Sequence, residues 1–170
     1  MPFTDFLDLF PPATFPLALG EDSYRAFEAT GKLIPASLAA EYVAPLEPAP
    51  LDEFTELLAC AQFSHRDFVA VVYWKAALLH NHYRLATFDK RGHPIESRVI
   101  AGTYNEAEAG GTQATANQSA ATITEERVIY VVSAQATDVE DLGAADQSSA
   151  LRLAIDDSGV IRDLVDPRDN

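Results

Sequence analysis

The sequence predicts an α+β fold: short N-terminal helices packed on a curled antiparallel β-meander of roughly seven or eight strands. Three observations predict it. A strand-turn-strand unit is written twice, as Arg84-Leu85-Ala86-Thr87-Phe88-Asp89-Lys90-Arg91-Gly92-His93-Pro94-Ile95 and as Arg152-Leu153-Ala154-Ile155-Asp156-Asp157-Ser158-Gly159-Val160-Ile161. Asp bonds its own following amides and Gly takes positive φ without steric cost, so each unit reads as a hairpin. Apolar runs at hairpin spacing fill 53–165, with no convincing helical period. Helix starts and prolines are concentrated before that point. The strands between the two copies lack their pattern, which excludes a propeller or solenoid.

The N-terminal elements follow in order. Thr4 is expected to cap a helix over 5–10, with Asp5 and Asp8 near its positive end and Pro11-Pro12 as its stop. Phe3, Phe6 and Phe10 recur at helical spacing, the pattern of a stripe docked on a core. Phe15-Pro16-Leu17 reads as an extended anchor. Asp22 or Ser23 would cap a short helix over 24–29, closed by Gly31. Pro35 stands early in a helix over 34–43 that sets Ile34, Leu38 and Tyr42 on one face. The segment 44–50, Ala-Pro-Leu-Glu-Pro-Ala-Pro, predicts a semi-rigid connector of polyproline character. The organisation is thus a single domain over 1–170: a helical segment 1–44, a Pro-rich connector 45–52 and an antiparallel sheet 53–165.

The sheet begins with strands over 54–63 and 67–76 around Ser64-His65-Arg66. Phe68-Val69-Ala70-Val71-Val72-Tyr73-Trp74 is apolar on both faces, which predicts a central strand covered twice. Strands over 78–88 and 95–104 form the first echoed hairpin. Residues 122–123 and 127–134 flank Glu125-Glu126, and 150–155 and 160–165 form the last pair. Residues 105–120 are rich in Ala, Gly, Thr, Gln and Asn without an apolar period, and predict a long loose loop. Residues 137–149 predict an acidic surface loop.

The formal net charge of -14 over 170 residues disfavours phosphate backbones and anionic membranes, so neither nucleic acid nor membrane is expected as a partner. Solubility, a cationic partner surface and divalent-metal binding are the remaining readings of that acidity. The one cysteine, Cys60, forbids an intramolecular disulfide and sits in an apolar run, as a buried hydrophobe would. No run approaches the roughly 20 apolar residues of a membrane span. The start has no signal-peptide pattern, although a chain trimmed of its signal would look the same, and a cytoplasmic location is the expectation.

Few residues suggest chemistry. His80 and His82 alternate onto one strand face and are the metal candidates, with His65 or His93 as a third ligand; Arg84 on that same face would repel a cation. Asp89, Asp156 and Asp157 resemble paired acid–base carboxylates, but their turn positions already account for them. Glu53 and Glu56 flank Phe54, and nothing in the sequence brings two carboxylates into one cleft. There is no nucleophile elbow, P-loop, dinucleotide fingerprint or His-Glu-x-x-His, and no cofactor is implied. Tyr73, Trp74 and Tyr83 are the ligand-binding candidates, on the concave face of the curled sheet.

Phe15-Pro16, Ile34-Pro35, Tyr73-Trp74-Lys75 and Thr87-Phe88-Asp89-Lys90-Arg91-Gly92 together look similar to uncharacterised single-domain β-meander proteins of the Bacteroidetes type. The resemblance spans most of the chain, implies the same fold and carries no activity. Three functions follow in rank. The first is a non-enzymatic acidic protein that binds a basic protein partner, for example an immunity protein shielding a cationic nuclease. The second is a small-ligand binder beside Trp74, and the third a metal-dependent hydrolase around His80 and His82.

Overall fold

The computed structural model describes residues 2–77, 81–105, 116–136 and 147–164. Helix α1 spans Phe3–Leu7 and α2 spans Glu21–Thr30. Ala36–Leu38 opens α3, which widens to a π turn over Ala39–Val43 and tightens to a 3-10 turn over Ala44–Leu46. The strands are β1 Leu17–Leu19, β2 Lys32–Leu33, β3 Glu56–His65, β4 Phe68–Ala76, β5 Asn81–Asp89, β6 Pro94–Asn105, β7 Ala116–Ile123, β8 Val128–Ala136, β9 Gln147–Ile155 and β10 Ile161–Asp163. From β2 to β10 each strand pairs antiparallel with the next in the chain, so the sheet is a meander. The α+β expectation holds. Ten strands replace seven or eight because the N-terminal segment contributes two short ones, β1 on β7 and β2 on β3.

Strand β4 carries a core on each face, as its uniformly apolar sequence requires. Phe68, Ala70 and Val72 join Leu85, Ile123, Ile129 and Leu153 in one cluster. Val71 and Tyr73 join the other, with Phe3, Phe6, Phe10, Leu38, Tyr42 and Val43. The phenylalanine stripe is therefore core: Phe6 lies 5.0 Å from Tyr42 and Phe3 lies 5.3 Å from Phe88, centroid to centroid. On the first face the sheet curls without closing, so that its last hairpin and β10 reach the middle strands β5 and β6. Thr87 Oγ1 donates to the Gly159 carbonyl at 2.6 Å, and Arg98 Nη1 on β6 reaches Asp163 on β10 at 2.8 Å.

The two echoed hairpins close alike. Asp89 Oδ1 accepts from the amides of Arg91 and His93 at 2.8 and 3.0 Å; Asp156 Oδ1 accepts from those of Ser158 and Val160 at 2.9 and 3.0 Å. Gly92 and Gly159 take φ of 93° and 91°. A third turn, Thr124 to Val128, uses the same frame with Thr in place of Asp and Arg127 at φ 67° in place of Gly.

Several local expectations change. Helix α1 starts one residue before Thr4, with Pro2 as its N-cap and no side-chain capping bond. Helix α2 starts at Glu21 on Gly20, ahead of the expected caps, and Gly31 ends it at φ -82° without a left-handed turn. Gly31 is needed for space: a Cβ there would collide with the Phe27 carbonyl. The connector is partly regular, since 44–46 form a 3-10 turn with Pro45 in its first turn, where no amide donor is required. Residues 116–120, expected in the loose loop, belong to β7, whose backbone pairs with β6 and β8 without an apolar period. Residues 147–149 likewise open β9. The rest of the two expected loops, 106–115 and 137–146, lies outside the described residues, as does His80.

Candidate functional site

Strand alternation divides the aromatic trio. Trp74 and Tyr83 share the concave face, with ring centroids 4.6 Å apart. Tyr73 points to the opposite, helix-covered face, where its hydroxyl donates to Glu47 Oε1 at 2.8 Å. One site holding all three residues is thus corrected to a site holding two. Tyr83 is fully buried and its hydroxyl donates to the Gly20 carbonyl at 2.9 Å, so it supports the site from beneath.

Helix α2 lies over this end of the concave face. Tyr24 and Phe27, one turn apart, reach Trp74 and Tyr83 at centroid distances of 4.8 and 6.0 Å. No residue of α2 is fully buried, so these rings are its main apolar attachment. The Tyr24–Trp74 pair forms a wall with a cleft on either side. One cleft, of about 240 Å³, is lined by Glu21, Asn81, Thr103 and Gln118 beside the pair. The other, of about 220 Å³, is lined by Glu28, Glu56, Leu33 and Leu58. Each falls short of the roughly 300 Å³ at which drug-sized pockets begin. Among the described residues three carboxylates line the two clefts and no Lys or Arg does. Burial, then the charge and hydrogen bond of Glu28, then the charge of Glu56, push the Tyr24 phenol above its ordinary range. A larger hollow of about 520 Å³ lies between α3 and Leu51. Its one carboxylate, Asp52, is already used by the Phe54 amide and the Thr55 hydroxyl, both at 2.9 Å.

On the opposite face the Pro-rich connector delivers a buried carboxylate that sequence reasoning passed over. Glu47 Oε2 accepts from Lys75 Nζ at 2.8 Å, and Oε1 faces Arg84 Nε at 3.4 Å. The Glu47 side chain has 0% exposure and each cation 10%. Burial alone would raise the Glu47 carboxyl, but the Lys75 hydrogen bond, the Arg84 charge and the Tyr73 hydroxyl hold it below the usual range. Every oxygen is engaged, so this cluster anchors the connector and offers no acid or base. Strand pairing puts His82 opposite Lys75, two positions from Arg84 on the same face. Of the two metal candidates, His82 is thus buried among cations, and His80 lies outside the described residues. Among the described residues no three His, Cys, Asp or Glu side chains converge to hold a metal ion.

The other histidines are held by aspartates of the turns. His93 Nδ1 is 2.9 Å from Asp89 Oδ2. His65 Nε2 is 3.0 Å from Asp157 Oδ1, and its Nδ1 is 3.2 Å from Arg127 Nη1. Arg only donates, so Nδ1 accepts and Nε2 carries the proton given to Asp157. Both ring nitrogens are occupied and neither is a free base. Among the described residues Arg66 and Arg127 are the non-glycines with positive φ, and both face Asp157, at 3.8 and 3.6 Å. Cys60 is buried, which pushes its thiol up to about 12 and leaves it inert.

No family model, no curated protein and no solved structure matches the chain. Function is therefore read from its own geometry. Among the described residues no helix is long and apolar enough to cross a membrane.

Proposed function

We propose that this protein is a non-catalytic acidic binding protein that receives a basic protein partner at the Trp74 end of the curled sheet. One observation carries the reading: among the described residues, both clefts beside the Tyr24–Trp74 wall are lined by carboxylates and by no basic side chain. The net charge of -14 would steer a cationic surface towards it and make association fast and salt-sensitive. The turn aspartates that resembled acid–base pairs, and the buried Glu47, have other work. Asp89 and Asp156 close hairpins, Asp157 joins two turns, and Glu47 neutralises Lys75 and Arg84. An immunity protein shielding a cationic nuclease in the cytoplasm is one concrete form of this function.

The test is titration of a labelled decalysine peptide at about 20 mM and about 300 mM salt, a range over which screening changes strongly. Binding is expected at the lower salt, weakened at least about tenfold at the higher. Reversing Glu21 and Glu56 to Lys is expected to weaken it more than reversing Asp5 on α1 and Asp8 at its C-cap. Absence of binding at low salt contradicts the reading.

The small-ligand reading keeps one supporting observation, the shared aromatic wall between two clefts. A ligand spanning both clefts would have to displace Tyr24 from Trp74.

A further inference from the structure

The cleft of about 220 Å³ between α2 and β3 combines an aromatic wall, an apolar rim and two acidic groups. Tyr24 and Trp74 form the wall with their planes tilted 35° and centroids 4.8 Å apart. Rings already in contact leave no slot between them, so a guest lies against the cleft side of the wall. Leu33, 60% exposed on the two-residue strand β2, and the buried Leu58 give the rim. Glu28 and Glu56 are exposed and both line the cleft. An uncharged apolar guest would strip water from both carboxylates without replacing its hydrogen bonds, and an anion would be repelled.

We propose that this cleft is the anchor subsite for one arginine side chain of the basic partner. The guanidinium lies on the Trp74 indole and donates to Glu28 and Glu56, and the methylene stem runs over Leu33 and Leu58. Arginine fits better than lysine for two reasons. Its flat, weakly hydrated cation stacks on an indole face, and its fork of donors serves two carboxylates where an ammonium acts as a point charge. The stem finds apolar cover at the rim while the head stays with the charges. This assignment rests on the basic-partner reading and names the group that partner must insert.

Trp74 is the one tryptophan of the chain, so its emission reports on the wall that the two clefts share, and the Glu28 and Glu56 substitutions single out this one. The probes are hexa-arginine, hexalysine and hexacitrulline, the last keeping the shape of arginine without its charge. Hexa-arginine is expected to change Trp74 emission saturably and to bind at least about fivefold tighter than hexalysine; hexacitrulline is expected to do neither. The Glu28→Gln/Glu56→Gln double variant removes charge from two exposed positions, and its circular-dichroism melt checks that the fold is kept. It is expected to bind hexa-arginine at least about tenfold more weakly. Equal affinity for hexalysine overturns the arginine assignment. Calorimetric binding of hexa-arginine with unchanged Trp74 emission, or with full affinity in the double variant, overturns the subsite and leaves the basic-partner reading standing. Failure of both cationic peptides to bind overturns the two together.

Discussion

His65 donates from Nε2 to Asp157 Oδ1 at 3.0 Å and so ties together two turns that lie 92 residues apart in the chain. The contact fixes the curl of the sheet at one end of β4, where Phe68 packs under Gly159. Trp74 lies six residues further along β4, about 20 Å away at strand rise. One end is thus clamped by turn-to-turn ion pairs, and the other is left with clefts under a lightly attached helix. The clamp is structural and the open end is where binding is expected.

The clamp and the hairpins make stability acid-sensitive. Asp89 is held below the ordinary carboxylate range chiefly by its bond from His93, Asp156 by those from Ser158 and Arg162, and Asp157 by the bond from His65 and the nearby charge of Arg66. In the unfolded chain such groups titrate near about pH 3.9. Their contribution is therefore complete above that pH and is lost as the pH falls through the lower folded values. The urea midpoint is expected to fall on acidification below about pH 4, and to fall less steeply in Asp156→Asn/Asp157→Asn. An unchanged slope in the double variant contradicts this origin.

Glu47→Ala leaves Lys75 and Arg84 buried without their counter-charge. It is expected to cost about 3–5 kcal/mol in urea unfolding, the range for breaking one side of a buried pair. Glu47→Gln keeps an acceptor for Tyr73 and should cost less. Because the folded Glu47 carboxyl is held low, its contribution too is present at neutral pH and lost in acid. A Glu47→Ala chain as stable as the parent would show that the connector is not anchored by this cluster.

Gly159 has φ 91°, and a Cβ there would approach Ile95 Cδ1 at 2.8 Å and Phe68 Cβ at 3.2 Å. Gly159→Ala is expected to lower stability by about 1–3 kcal/mol through strain and overpacking. Gly20 is the contrast: its φ of -166° is extended backbone, and the nearest atom to an added Cβ is Ala120 Cβ at 3.8 Å. Gly20→Ser adds a capping hydroxyl to α2 and should be neutral or stabilising by a few tenths, up to about 0.5 kcal/mol. Equal melting shifts for the two variants would contradict this distinction.

What the sequence reveals here is what local chemistry dictates. The Asp-to-Gly hairpins are legible because their bonds close within five residues, and β4 is legible because seven consecutive apolar residues demand cover on both faces. Strands β1 and β2 are three and two residues long and exist through partners far along the chain, so no local pattern announces them. Strand β7 is Ala, Ser, Thr, Asn and Gln for most of its length, which reads as loop until a neighbouring strand supplies the ladder. Glu47 stands among prolines, and its meaning comes from Lys75, 28 residues later. The sequence singles out Trp74 as a ligand-binding candidate. Tyr24, its partner, is not singled out, because it reads only as a member of a short helix and its contact depends on how α2 crosses the sheet.

The most direct test of the binding reading is amide and indole chemical-shift mapping while a basic peptide is added at low salt. The prediction is that shifts centre on the Trp74 indole N–H and the amides of Tyr24, Glu28, Leu33 and Glu56. A response centred on other acidic positions, such as Asp5 on α1 and Asp8 at its C-cap, with the Trp74 indole unmoved, would contradict it.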